Sequence, residues 1–250
     1  GGGTNIDQFA PTGTIVPSSG GRSVVILDGN SDKIRFENVT IENAYGWTLG
    51  KNGQAEALYI NNKSAAFINC RVLSFQDTLL PGGGYWFKDC FIAGATDFIW
   101  GSGKVVLFED CQIHAPSGTR AVMQARVSAG YLGYVFLNSR FTVGEGVTNS
   151  TLIYQFEPDN LTFLNCTFAD VYGPNFVGEN KPLTPAVPTV ATGCKLYNCK
   201  TESGSDIYQS IPATVRNTVL QLSKEQYDQY FGTRETIMSW DGYTDAAWFK

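Results

Sequence analysis

The alternation of apolar and polar positions has one recurring unit. It reads apolar, any, apolar, Asn or Asp, a small or apolar residue, any, apolar. It appears as IRFENVTI, AAFINCRV, YWFKDCFI, VLFEDCQI, YVFLNSRF, LTFLNCTF and CKLYNCKT. The Asn or Asp falls at Asn38, Asn69, Asp89, Asp110, Asn138, Asn165 and Asn198, with gaps of 31, 20, 21, 28, 27 and 33 residues. Period-two alternation ending in turn residues predicts strands. A repeat of this length predicts a solenoid in which each unit buries its apolar face only against its neighbours. The uneven gaps argue against a closed propeller, because a coil can push extra residues into loops. The predicted fold is all-β: a single-stranded parallel β-helix.

Stacked coils place equivalent side chains about 4.8 Å apart. A repeated Asn or Asp can bond its own backbone at a corner of every coil. Cys follows it in five of the seven units. Buried cysteines pack well as stacked thiols, and a disulfide among Cys70, Cys90 and Cys111 is the alternative. Residues 172–192 are rich in Pro and Gly and predict a surface excursion. From Leu222 the text LSKEQYDQYF predicts a short helix. The chain is expected to form one domain over residues 1–250, with a tail over about 219–250. Residues 1–32 show no obvious cap, although a solenoid needs capped ends; coils upstream of Gly1 are expected to be missing or supplied differently.

Composition narrows the function. The net charge is -5 and no basic block stands out, so nucleic acid is not an expected partner. No apolar run approaches the roughly 18 residues of a membrane span. No CxxC pair occurs among the six cysteines, which argues against zinc. Five N-x-S/T sequons, at Asn38, Asn62, Asn149, Asn160 and Asn165, suit a secreted glycoprotein. The single histidine, His114, has no G-x-S-x-G elbow to serve, and a Ser-His-Asp triad is not expected.

The chemistry-bearing text is SFQDT at residues 74–78 and GATDFIWG at residues 94–101. Asp77 lies eight residues after Asn69, and Asp97 eight after Asp89. Equal offsets in adjacent coils predict stacked neighbours on one face. Two carboxylates held close cannot both ionise easily, so one is kept protonated. Such a pair can divide nucleophile from acid and base. Gln76, beside Asp77, and Gln54, fifteen residues before Asn69, offer amide donors for an oxyanion. An Asp at a strand end is more often a plain turn-former. Phe75, Phe98 and Trp100 beside the pair could stack on sugar rings, or could simply be core.

These motifs resemble the pectin methylesterases, carbohydrate esterases with a right-handed parallel β-helix. The resemblance runs from about Lys33 to Trp240 and is strongest over FENVTIENAYG, GQAEALYINN, FINCRVLSFQDTLL and YWFKDCFIAGATDFIWG. MQAR at residues 123–126 looks like a family segment ending in Gly-Arg, with Ala125 for the glycine. The resemblance implies Asp97 as nucleophile on a galacturonate methyl ester, Asp77 as general acid and then base, and Gln54 and Gln76 as oxyanion donors. It implies Trp100 and Arg126 as substrate-binding residues, with no metal or organic cofactor. It also implies a monomer acting outside the cell on pectin or a related acidic polysaccharide. In one place the chain departs from the family. The family's later Leu-Gly-Arg-Pro-Trp, whose Arg holds the nucleophile, is replaced by a stretch with Tyr154, Gln155 and Phe156. Arg126 or Arg120 could reach in instead. The departure leaves open an esterase on another substituted glycan or a non-catalytic glycan binder. A polysaccharide lyase on the same fold would need a basic catalytic residue and commonly calcium.

Overall fold

A computed structural model describes residues 22–240 apart from Asn30, residues 49–52, Thr119 and Glu157. The expectations for residues 1–21 and for the end of the tail fall outside the described residues.

The described chain winds through three parallel sheets, each visited once per coil. The first sheet runs Val25–Leu27, Leu58–Ile60, Leu79–Pro81, Ile99–Gly101 and Met123–Ala125. Single bridges extend it through Ile153 to Val177. The second sheet has eight strands, from Ile34–Glu37 to Val219–Gln221, and the third has seven, from Thr40–Glu42 to Lys200–Thr201. The coil is right-handed, the hand that parallel crossovers take almost without exception.

Each repeat unit is two strands joined at a corner. At the corner, Asn38, Asn69, Asp89, Asp110, Asn138, Asn165 and Asn198 all take left-handed backbone, with φ between 48° and 58°. Asn and Asp tolerate that region better than other side-chain-bearing residues, which explains the ladder. Their side chains link coil to coil: Asn69 donates to Asn38 at 2.7 Å, and Asn198 to Asn165 at 2.9 Å. Lys88 pairs with Asp110.

The residue after the corner points inward. All six cysteines are free. The thiols of Cys90, Cys111, Cys166 and Cys199 each donate to the carbonyl of a core phenylalanine one coil back, at 3.2–3.4 Å. Ser139 takes the same place, donating to Phe108 O at 3.1 Å. The cysteine column is therefore a hydrogen-bonding column as well as a packing one. Beside it Phe36, Phe67, Phe87, Phe108, Phe136 and Phe163 stack with centroids 4.6–5.3 Å apart. Such pairs are each worth about 0.5–1.5 kcal/mol beyond their buried area.

The tail covers the outer face of the second sheet. Helix Lys224–Tyr230, in the stretch predicted to be helical, begins in a capping box between Ser223 and Gln226. Helix Arg234–Met238 follows. Arg234 clamps Glu109 at 2.7 and 3.1 Å and lies 4.1 Å over the Trp86 ring. Phe231, Ile237 and Met238 are fully buried there, so Val105–Glu109 is buried on both faces. The excursion predicted at residues 172–192 is shorter than expected. Phe176 and Val177 are buried, and Val177 still pairs with Ile153; the loop proper begins after them because those two apolar side chains complete another rung of the core.

Candidate active site

The two aspartates sit where the chain turns from the third sheet into the first. Gln54 pairs with Gln76, and Gln76 with Thr96, as parallel neighbours. Leu79 pairs with Ile99, so Asp77 and Asp97, each two residues earlier, occupy the same place in adjacent coils. Asp77 N donates to Thr96 O at 3.1 Å. Both aspartates are left-handed, with φ of 62° and 44°. The turn is tight: a Cβ on Gly94 would lie 2.2 Å from Phe98 Cβ and 2.6 Å from Thr78 Oγ1, so glycine is required there. The predicted juxtaposition is present. Asp77 and Asp97 are 4% and 8% exposed, beneath half-buried Gln76, Thr96 and Trp100. Phe98 is fully buried in the core, the second of the two readings its sequence left open. Phe75 is half-buried and packs edge-on to Trp47 at 4.9 Å.

A third acid joins the column. Four residues separate Gln54 from Leu58 in pairing with a three-residue step from Gln76 to Leu79. The first coil therefore carries one extra residue. Ala55 N donates to Gln76 O and Ala57 N to Thr78 O, which puts Glu56 opposite Asp77. Glu56 is fully buried, and Arg22 holds it with two bonds, Nη2 to Oε1 at 2.7 Å and Nε to Oε2 at 3.1 Å. Arg22 Nη1 donates to Gln54 Oε1 at 2.8 Å. Reasoning from the sequence missed both Arg22 and Glu56. A signal was present: Glu56 interrupts the small and apolar run of QAEAL, where an unpaired charge could not be buried.

Past Asp97 the column ends in a different way. Asp97 N donates to Ala121 O, and no acid follows. Arg120 lies one residue before, its guanidinium 4.0 Å from the Tyr154 ring centroid. Arg126 is sandwiched, 5.0 Å from the Trp100 ring and 4.3 Å from the Phe156 ring. It also donates to Gln124 Oε1 at 2.5 Å. Tyr154 and Phe156, in the stretch where an arginine was expected, are thus the rings on which Arg120 and Arg126 rest. Among the described residues Asp97 Oδ1, Trp100 Nε1 and Arg126 Nε are buried with no hydrogen-bond partner. Orphaned polar atoms cost about 1–3 kcal/mol each; Asn62 Oδ1, Tyr134 Oη and Thr162 Oγ1 are orphaned as well, so three of the six among the described residues belong to Asp97, Trp100 and Arg126.

The charges split the pair. Burial, and then the neighbouring Glu56 carboxylate, push Asp77 up to about 7; Arg22 and Arg126 oppose them, and Asp97 adds to the rise. Burial also raises Asp97 above its ordinary value, with Arg120 and Arg126 opposing the rise. Repulsion within the pair falls on whichever member ionises second, which is Asp77. His114 is half-buried beside Thr142 Oγ1 at 2.8 Å, and burial lowers it; it takes no part in this cluster.

Part of this chain is similar to known proteins. Residues 24–130 match the family model described as Pectinesterase. Pectinesterase 31 of Arabidopsis thaliana is 36% identical over 141 residues, which cover 56% of this chain and 43% of that protein. Probable pectinesterase 50 of the same plant is 44% identical over 103 residues, 39% of this chain and 28% of that protein. The chain thus spans less than half the length of these relatives. Among solved structures, a pectin methylesterase from carrot superposes with a TM-score of 0.71 at 20% identity, covering 92% of this chain and 72% of that one. A pectin methylesterase in complex with a hexasaccharide gives 0.63 at 19% identity, covering 90% of this chain and 76% of that one. The stretch that carries both aspartates, both glutamines and Arg126 is thus the part of this chain that is similar to the pectinesterase family.

Proposed function

We propose that the protein is a carbohydrate esterase that hydrolyses methyl esters of galacturonate in pectin, through an acyl-enzyme on Asp97. The reading rests on one observation: Asp77 and Asp97 occupy the same place in adjacent coils, with Glu56, salt-bridged to Arg22, on one side of the pair and Arg120 and Arg126 on the other. Asp97, next to two guanidinium groups, is the member that ionises first and attacks the ester carbonyl carbon. Gln54 and Gln76 donate amide hydrogens to the oxygen that becomes negative. Asp77, still protonated, gives its proton to the departing methoxy group as the carbon–oxygen bond breaks, and methanol leaves. Asp77 then takes a proton from water, whose oxygen attacks the acyl carbon. The bond from the acyl carbon to the Asp97 oxygen breaks, the galacturonic acid leaves and releases its remaining proton to solvent, and both aspartates return to their starting states. Neither half-reaction calls on a metal or an organic cofactor.

The family's missing arginine is replaced, in this reading, by cations from the preceding coil. Arg120 and Arg126 lie against Tyr154 and Phe156 and supply the field that keeps Asp97 ionised. Half-buried Trp100 and exposed Phe156 border the cleft and offer faces to sugar rings. The substrate is pectin or a related acidic polysaccharide, met outside the cell by a monomer. Methanol release from methylated pectin, compared with Asp97→Ala, tests the reading. Release no faster than that of the variant overturns it. One observation favours a second reading, a glycan binder without turnover: neither arginine bonds Asp97 Oδ1. That reading predicts retention on a pectin column with no methanol at any pH.

A further inference from the structure

The catalytic reading gives Gln54 a task but says nothing of what orients it. A primary amide has two ends of similar shape, and only its NH2 end can serve an oxyanion. Arginine has donors and no acceptor, so whichever end meets Arg22 must be the carbonyl. Arg22 Nη1 meets that end at 2.8 Å, and the NH2 end of Gln54 is left to face the other way.

Arg22 cannot easily move. Glu56 grips it through both carboxylate oxygens, a planar fork that a single ammonium does not reproduce. Asn43, itself buried, donates through Nδ2 to the carbonyls of both Arg22 and Glu56, at 2.9 and 3.0 Å. The two backbones are therefore tied by the same amide. A buried ion pair is weak evidence for stability, because desolvation offsets its attraction. Glu56 lies two residues after Gln54, and its partner Arg22 bonds the Gln54 amide, so the pair has a use there besides stability.

We infer that Arg22 and Glu56 are positioning residues: the buried pair locks the Gln54 amide with its NH2 turned toward the reacting carbonyl. Resting on the esterase reading, the inference assigns a role to residues outside the set that touches substrate. Arg22→Lys keeps the charge and loses the fork. Initial rates of methanol release would be compared for the wild type, R22K, Q54A and R22K/Q54A. R22K is expected to lower kcat about 10- to 100-fold with KM within about threefold. In the Q54A background it should cost little more, because its target is already gone. A full additive loss in the double variant, or an unchanged kcat in folded R22K, overturns the inference.

A second readout separates this inference from the esterase reading. In proton–nitrogen spectra of the full chain, the Gln54 side-chain amide is identified by its loss in Q54A. Its pair of signals should move to the position of a free, exposed glutamine in R22K, whether or not the wild type releases methanol. No movement overturns the positioning role, while movement without any methanol release overturns only the reaction. If R22K does not fold, Glu56→Gln frees one side of the Arg22 fork and takes both measurements.

Discussion

Two corners of the coil use the same backbone device for opposite ends. Where the second sheet turns into the third, seven Asn or Asp residues take left-handed backbone and link coil to coil through bonds such as Asn69 to Asn38. Where the third sheet turns into the first, Asp77 and Asp97 take it too, but they are buried, and one oxygen of Asp97 has no partner among the described residues. Left-handed backbone suits Asn and Asp at both corners. The difference lies in what the side chains meet. At the ladder they meet each other and water. At the other corner Glu56, paired with Arg22, acts on one flank and Arg120 and Arg126 on the other. A corner with satisfied side chains stabilises; one with frustrated side chains is available for chemistry.

The strongest test of this contrast is Asp97→Ala, expected to lower methanol release by about 10³-fold or more without loss of stability in urea titration. Asp77→Asn should lower it about 10²- to 10³-fold and also change stability with pH. In the folded protein Asp77 keeps its proton up to about 7, whereas an unfolded Asp releases it near the ordinary value of about 3.9. Stability associated with this group is full below that ordinary value and is lost as pH rises through about 7. The melting temperature of Asp77→Asn should therefore exceed that of the wild type at pH 8 and match it at pH 4. The wild-type rate should itself fall as pH rises past about 7, when the proton for methanol is gone.

Arg126→Met is expected to lower the rate about 10- to 100-fold. Without that cation Asp97 ionises at higher pH, so the acid limb of kcat/KM should move upward; a limb that stays in place would break the link between Arg126 and Asp97. The smallest effect belongs to the ladder. Asn165→Ala places alanine at φ of 53° and removes the bond from Asn198. It should cost about 1–2 kcal/mol in urea titration, with methanol release within about twofold of wild type. Asn165→Gly, free of the Cβ penalty, should cost less. A large loss of activity in Asn165→Ala would show that the two corners are not independent.

Much of this was legible in the linear text. The ladder, the inward cysteines and the helix after Leu222 each depend on local pattern. The aspartate pair could be read because equal offsets from a repeated landmark become equal heights in a solenoid. Reading failed where a side chain's surroundings depend on a remote coil. Phe98 and Trp100 are two residues apart in one segment, yet one is fully interior and the other only half-buried. Arg22 is 34 residues from Glu56, and no local pattern joins them. The aromatic residues of the altered motif gave no hint that they would carry arginines from another coil.

From the sequence alone come the coil, its corners and the two acids brought level, because periodic burial and left-handed tolerance are properties of residue types at set spacings. The tertiary structure alone decided which acid holds the proton. That choice depends on charges placed by other coils, Glu56 and Arg22 on one side and Arg120 and Arg126 on the other. Electrostatic energy follows distance through space and burial, neither of which spacing along a chain records.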